Sequence, residues 1–271
     1  MATRKKSILI EEDELLEKQQ EEQKDPDIVE IKDDLNTLDL PSGGLLGYPS
    51  TISYRDILVK DEETLASATA KTYTRTLNKV LKSIANDCDF FEKLTIHDRD
   101  YFLVWVWANN YSPTKRVEVE CPHCKDKHEQ VVDFTKQETS DLNKKFKGFY
   151  EMDLKSGHKV KIRLNTVADE MAVETYIAND KNARFDHLML VRSIELPVNM
   201  PLKTKVEWVA ENVTGAEMAK IKKFHVSLKY GIDPSVKYVC KACGGEFFGD
   251  FPFQTEDIIF PTVQADIDEF L

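Results

Sequence analysis

The chain has 271 residues, with 37 Lys and Arg against 48 Asp and Glu for a formal charge of −11, and 41% of it is apolar. Such a length supplies one large domain or two small ones, with enough interior to fold without disulfides. Its acidity argues against a protein that coats nucleic acid, and its longest unbroken apolar run, Tyr101 to Ala108, is far short of the roughly 20 residues that cross a bilayer.

At the start, Arg4-Lys5-Lys6 precedes only Ser7-Ile8-Leu9-Ile10 before the acids Glu11-Glu12-Asp13-Glu14. A secretory leader needs about 7–15 apolar residues there, so a soluble intracellular product is expected. Residues 1–40 hold 13 acidic and 6 basic side chains. Within them Glu11 to Asp27 lacks aromatics and reads as a solvated, disordered tail, because it has too little apolar surface to offset the entropy of ordering. Ile8, Ile10, Leu15 and Leu16 leave room for a short helix formed on a partner. Pro41-Ser42-Gly43-Gly44-Leu45-Leu46-Gly47-Tyr48-Pro49 reads as a linker and lacks phosphate-loop spacing. Residues 1–50 are therefore expected to be tail and linker.

A helical segment follows over 51–114. From Asp61 to Asn86 the apolar residues Tyr73, Leu77, Val80, Leu81 and Ile84 recur at threes and fours, the spacing of one buried helix face. The next helix starts at Thr95, whose hydroxyl can accept the Asp98 N–H while the Asp98 carboxylate reaches back in a capping box. It continues through Tyr101-Phe102-Leu103-Val104-Trp105-Val106-Trp107, apolar nearly all round, and belongs in the core or under a partner. The acids of His97-Asp98-Arg99-Asp100 are those the helix macrodipole favours at an N-terminus.

Residues 137–234 read as a subdomain of a hairpin plus helices. Phe149–Leu154 and Lys159–Leu164 flank Lys155-Ser156-Gly157-His158 as a β-hairpin. Asn165 to Asp169 opens a helix through Ile177, Phe185–Ile194 is another, and Val206–Val209 lies on a short third. A fourth begins with a capping box (Thr214, Glu217) and a staple pair (Val213, Met218) and should end at Gly231.

The cysteines carry the strongest chemical signal. Cys121-Pro122-His123-Cys124 and Cys240-Lys241-Ala242-Cys243 are two Cys-x-x-Cys turns, matching a tetrahedral four-thiolate zinc site in which each short turn places both sulfurs on one ion. Strand-like residues 115–136 surround the first pair and 235–256 the second, as in a zinc ribbon. The fold class expected is α+β: a helical body with a split zinc ribbon enclosing an inserted α/β subdomain. Between Cys124 and Cys240 lie 115 residues, and closing such a loop costs on the order of 4–5 kcal/mol. Structural zinc contributes roughly 10–16 kcal/mol in small peptides, enough to offset it.

Other readings compete for the same residues. Cys-Pro-His-Cys is also the tetrapeptide of thiol–disulfide oxidoreductases, but a strand-like segment follows it and a second pair stands ready to complete a metal site. His123 or His128 could replace a sulfur, although both are expected to be exposed. Cys88 is left over as an inert free thiol. A nucleic-acid-binding ribbon is the remaining alternative, yet Lys115, Arg116, Lys125 and Lys127 are balanced by Glu118, Glu120, Asp126 and Glu129, which leaves no local positive field. Four cysteines leave no open position for a catalytic zinc, and no Ser-His-Asp elbow, P-loop or carboxylate pair can be picked out. No enzymatic activity is expected.

The order of these features resembles the T-even-type baseplate hub protein family of contractile-tailed bacteriophages. The resemblance runs from Leu94-Thr95-Ile96-His97-Asp98-Arg99 through Val119-Glu120-Cys121-Pro122-His123-Cys124, Lys155-Ser156-Gly157-His158-Lys159 and Thr166-Val167-Ala168-Asp169-Glu170 to Tyr238-Val239-Cys240-Lys241-Ala242-Cys243-Gly244-Gly245 and Ile258-Ile259-Phe260-Pro261. It covers about residues 55 to 262. At Val104–Tyr111 the chain departs from the family's leucine-arginine stretch ending in glycine. The resemblance implies a structural or assembly role without catalysis. Hub, spike or tape-measure components would be its partners, and a homo-oligomer is possible. The setting would be the host cytoplasm during assembly and then the virion tail baseplate, with Cys121, Cys124, Cys240 and Cys243 as the only site residues. The tail over 257–271 offers Ile258, Ile259, Phe260, Ile267, Phe270 and Leu271 as docking anchors.

Overall fold

A computed structural model of the chain describes residues 35–250 other than Ala70, Asp87, Lys181, Asn182, Lys229 and Pro234. The acidic tail before residue 35 and the docking anchors at 257–271 lie outside the described residues. In chain order, β1 (Asn36–Asp39) pairs antiparallel with β2 (Thr51–Tyr54), and β2 pairs with β3 (Ala85–Asn86). Between β2 and β3 come α1 (Val59–Ala66) and α2 (Tyr73–Ile84). The long α3 (Ile96–Asn110) follows, then the hairpin β4 (Thr114–Glu120) and β5 (Lys127–Asp133). After the short β6 (Thr139–Ser140), β7 (Phe149–Asp153) and β8 (Lys159–Arg163) form a second hairpin. Then come α4 (Val167–Asn179), α5 (Phe185–Ser193), β9 (Ile194–Glu195), α6 (Leu202–Asn212) and α7 (Gly215–Ser227). The described chain closes with β10 (Gly231–Ile232) and the hairpin β11 (Ser235–Val239) and β12 (Glu246–Asp250).

The main core is built as the sequence spacing predicts. Leu77, Val80, Leu81 and Ile84 of α2 are all buried, and so are Phe102, Leu103, Val104, Val106 and Trp107 of α3. The single helical run expected from Asp61 to Asn86 is instead two helices. Around the break, Ser67 Oγ donates to the Thr64 carbonyl at 2.7 Å and Thr72 Oγ1 accepts the Thr69 N–H at 3.0 Å. Hydroxyls that satisfy nearby backbone groups in this way compete with helical continuation.

The linker expected at Pro41–Pro49 is a second correction. Residues 40–50 close the β1–β2 hairpin, with the Leu40 N–H donating to the Ser50 carbonyl at 2.7 Å, and Leu40 and Tyr48 are buried. What holds them is Asp98. Its carboxylate accepts the Ser42 N–H at 3.2 Å and the Tyr48 hydroxyl at 2.5 Å. Thr95 does accept the Asp98 N–H at 3.4 Å, but the Asp98 carboxylate is committed to the hairpin rather than to the reciprocal half of a capping box. The neighbouring Arg99 is also buried. It binds Glu170 of α4 through two bonds of 2.8 and 3.1 Å, and Asn78 of α2 donates to the same carboxylate at 2.8 Å. One dipeptide therefore ties the N-terminal hairpin, α2, α3 and α4 together.

A second core lies in the segment between the two cysteine pairs, expected above as an insert, where Met152, Leu154, Val160 and Ile162 meet Val191, Ile194, Val209 and Ile221. The capping box of α7 is present, with Glu217 accepting the Thr214 N–H at 2.8 Å and, from the β7–β8 turn, the Lys155 N–H at 2.7 Å. The insert joins the main core where the helix caps meet. Thr95 and Thr166 form a β-bridge, the Ile96 N–H donates to the Asn165 carbonyl at 3.1 Å, and the Val167 N–H to the Leu94 carbonyl at 2.9 Å. The two strands of chain that lead into and out of the insert are zipped together. β6 pairs antiparallel with β10, the Asp233 N–H donates to the Glu138 carbonyl at 2.9 Å, and the Gln137 amide donates to the Asp233 and Ser235 carbonyls at 2.8 and 2.7 Å.

Two histidines at this junction give the fold an acid sensitivity. His97 stacks on Tyr230, with ring centroids 4.7 Å apart, and burial lowers its pKa. Burial first, then His97 and Arg163, lowers His225 to about 4, so desolvation outweighs the attraction of the α7 C-terminus for a cation. The unfolded chain binds this proton near pH 6.5 and the folded chain only near 4. Stability should therefore be full above pH 6.5 and fall as the pH drops through that window, by about 1–2 kcal/mol after allowing for partial exposure. Urea midpoints at pH 7.5, 6 and 4.5 measure this, and His225→Gln should flatten the upper part of the profile.

Candidate metal centre

Both Cys-x-x-Cys segments form the same turn at the end of a hairpin. At the first, the Cys121 N–H donates to the Asp126 carbonyl and the Lys125 N–H to the Cys121 carbonyl, both at 2.9 Å. At the second, the Cys240 N–H donates to the Gly245 carbonyl and the Gly244 N–H to the Cys240 carbonyl, again both at 2.9 Å. Lys125 and Gly244 occupy equivalent positions and share a left-handed backbone, with φ of 65° and 72°. Among the described residues Lys125 is the only non-glycine with positive φ, so the turn geometry itself imposes that conformation. No heavy atom lies within 4 Å of where a Gly244 Cβ would stand. Gly244→Ala should therefore cost only the backbone strain, about 1 kcal/mol. Lys125→Gly should be nearly neutral, the relief of strain being offset by glycine's entropy. Denaturant melts of the two metal-loaded variants give the comparison.

The turns face each other across the 115 residues that separate them in sequence. Cys121 Sγ lies 3.8 Å from Cys243 Sγ and Cys124 Sγ 3.5 Å from Cys240 Sγ, and all four sulfurs lie within 4.8 Å of one another. With Zn–S bonds of about 2.3 Å, the edge of a regular tetrahedron is about 3.8 Å. Disulfides need sulfurs at about 2.05 Å, and all five cysteines are free. The donor set and its spacing thus fit a four-thiolate ion of zinc's size. Cys121 and Cys240 are buried while Cys124 and Cys243 are exposed, so an ion here would be anchored on the core side and reached from solvent on the other.

The cluster's electrostatics suit a cation. Burial opposes ionisation of Cys121, but the N–H groups of Cys124 and His123 face its sulfur and lower it to about 6. The Asp126 N–H favours the Cys124 thiolate, yet burial and the three neighbouring sulfurs push it up to about 12. Cys243 is raised as well, its Gly245 N–H notwithstanding, by Cys240, burial and Cys121. Cys121 ionises more readily than Cys124 or Cys243, because neighbouring thiolates repel one another. A divalent ion reverses that balance and deprotonates them outright. Cys88 is separate: it is buried, and burial pushes its thiol up to about 11, so it stays protonated.

The redox reading needs Cys121 at a helix N-terminus, whereas the residue joins β4 to β5. His123 is exposed as expected, with Nε2 3.4 Å from the Glu246 carbonyl. His128 is not: its side chain is 9% accessible. Its Nδ1 lies 3.0 Å from Asp126 Oδ2 and its Nε2 2.9 Å from the Gln130 amide nitrogen, which donates to the Val239 carbonyl at 2.5 Å. Asp126, His128 and Cys240 form a second group of atoms close enough to share an ion, but there the aspartate and histidine already satisfy each other. Alternation along β4 and β5 was legible in the sequence; the inward turn of His128 and Gln130 follows from it, because both share the face that carries the buried Val132.

Two hairpins whose turns gather four cysteines, set against a helical core, define a mixed helix-and-sheet protein with a cluster able to hold a metal ion. The chain belongs to the family described as T4 bacteriophage base plate protein, whose model matches residues 34–249 and so takes in both cysteine turns and the whole body between them. No curated protein and no solved structure matches the chain. This family points to a structural rather than a catalytic role, in the virion tail. No helix among the described residues is long and apolar enough to cross a membrane.

Proposed function

We propose that the protein is a structural or assembly subunit of the baseplate hub of a contractile-tailed phage, its two cysteine hairpins forming a split zinc ribbon stapled by one structural Zn²⁺ on Cys121, Cys124, Cys240 and Cys243. The observation that carries this reading is the convergence of four sulfurs at tetrahedral spacing inside a chain whose family match embraces both pairs. The ion supplies crosslinking energy and no chemistry, because four cysteines leave no open coordination position. Other tail proteins of the hub, spike or tape-measure type are the partners, bound by the helical body and the two termini during assembly in the host.

Elemental analysis should return one zinc per chain. The role itself is tested by mixing the purified protein with the other tail proteins of its phage and by deleting its gene. Failure to associate with any of them, together with intact baseplates from the deletion, would remove the assignment. A steep loss of DNA or RNA affinity with rising salt would favour the nucleic-acid-binding ribbon in its place.

A further inference from the structure

A run of side-chain contacts crosses between the two hairpins beside the cysteine cluster. The Asp126 carboxylate can only accept, so the His128 Nδ1 that lies 3.0 Å away carries the proton. His128 Nε2 is then an acceptor and takes one hydrogen of the Gln130 amide at 2.9 Å, while the other hydrogen of that amide goes to the Val239 carbonyl at 2.5 Å. Each polar group is matched, donor to acceptor, and this fixes the orientation of the His128 ring and of the Gln130 amide. The ends of the run touch the ligands. The Asp126 carbonyl accepts the Cys121 N–H at 2.9 Å, and Val239 immediately precedes Cys240.

We infer that His128 and Gln130 are positioning residues for the metal, a latch that holds the second cysteine turn against the first independently of the ion. The inference rests on the zinc reading above and goes beyond it. Each turn alone offers only two thiolates, and an ion that had to gather the two pairs would lose much of its binding free energy to ordering them. A preset arrangement removes that cost. Gln137 ties the hairpins at the neck of the insert through the Asp233 and Ser235 carbonyls; Gln130 ties them near the tips, where the sulfurs are.

The test uses the full-length protein and competition with a chromophoric zinc chelator. Gln130→Ala and Gln130→Glu, the second keeping the side chain's size while removing both donors, should each bind zinc about 10–100-fold more weakly than the parent, as loss of outer-shell partners does elsewhere. His128→Asn should weaken it in the same direction. Glu129→Ala, at an exposed position of the same strand, should leave affinity unchanged. Charge-transfer and d–d bands of the cobalt-loaded protein should be those of four thiolates in every variant, since no ligand is altered. Unchanged affinity in a folded Gln130 variant overturns the latch. A cobalt spectrum altered by His128→Asn overturns it too, because His128 would then be a ligand. A parent protein that takes up neither zinc nor cobalt removes the metal reading itself, an outcome distinct from either of those.

Discussion

Cys121→Ser and Cys240→Ser should each abolish stoichiometric zinc and lower the melting temperature more than any other single change at the cluster. These are the buried pair, so a serine hydroxyl there is left without its metal and away from water. Loss of the site forfeits a large part of the roughly 10–16 kcal/mol that structural zinc contributes in small peptides. The damage would not stop at the turns. Val132 and Tyr238 are members of the main core, and Val117, Val119, Val236 and Phe247 pack against it, so separated hairpins would uncover one side of the helical body. Cys124→Ser and Cys243→Ser, at exposed positions, should weaken the site with a smaller fall in melting temperature. Elemental analysis alongside calorimetry, with and without a strong chelator, measures both effects. A Cys121→Ser protein that keeps one zinc and melts like its parent would refute the staple.

The second large effect lies far from the sulfurs. Arg99→Met should destabilise the fold by about 3–5 kcal/mol, because it strands the buried carboxylate of Glu170 without its counter-ion. The two side chains are 5% and 9% accessible, so water cannot take the arginine's place. Glu170→Leu alone should be less harmful, because Asp100 still accepts from the Arg99 Nε at 2.7 Å and the Asn78 amide oxygen from its Nη1 at 2.5 Å. Combining the two replaces a buried ion pair with apolar groups and should recover much of the loss. Urea midpoints of the four proteins form a double-mutant cycle, and simple additivity of the two single changes would show that the pair does not act as a unit.

What the sequence disclosed depended on distance along the chain. Each Cys-x-x-Cys turn, the Thr214/Glu217 box, the 149–164 hairpin and the buried face of α2 are local patterns, each written within about sixteen residues; the box, the hairpin and the helix face are found as expected, and the two cysteine turns come together. Asp98 and Arg99 show the opposite case. Reading them as helix-terminal charges is locally sound, yet Asp98 meets Ser42 and Tyr48, and Arg99 meets Asn78 and Glu170, across 56, 50, 21 and 71 positions. No periodicity encodes such partners. The same contacts explain the supposed linker at 41–49, whose glycines and prolines are equally at home in a hairpin connection held down by a buried aspartate. The division of α1 from α2 is written in Ser67, Thr69 and Thr72, whose hydroxyls compete with helical continuation, while the apolar spacing that ends at Ile84 carries no sign of the break.

The zipped neck of the insert sets an order of events during synthesis. When the first pair of cysteines leaves the ribosome, its counterpart has not been made, and the 115 residues between them take about 6–23 seconds to appear at ordinary elongation rates. Until then Cys121 and Cys124 can offer any ion only half a cage. β10, paired with β6 in the finished fold, lies just ahead of residue 240, so the second pair can meet the first only after the whole intervening segment has been made. An ion shared by the four cysteines would therefore be captured late, so a chain ending before Cys240 should hold no ion tightly.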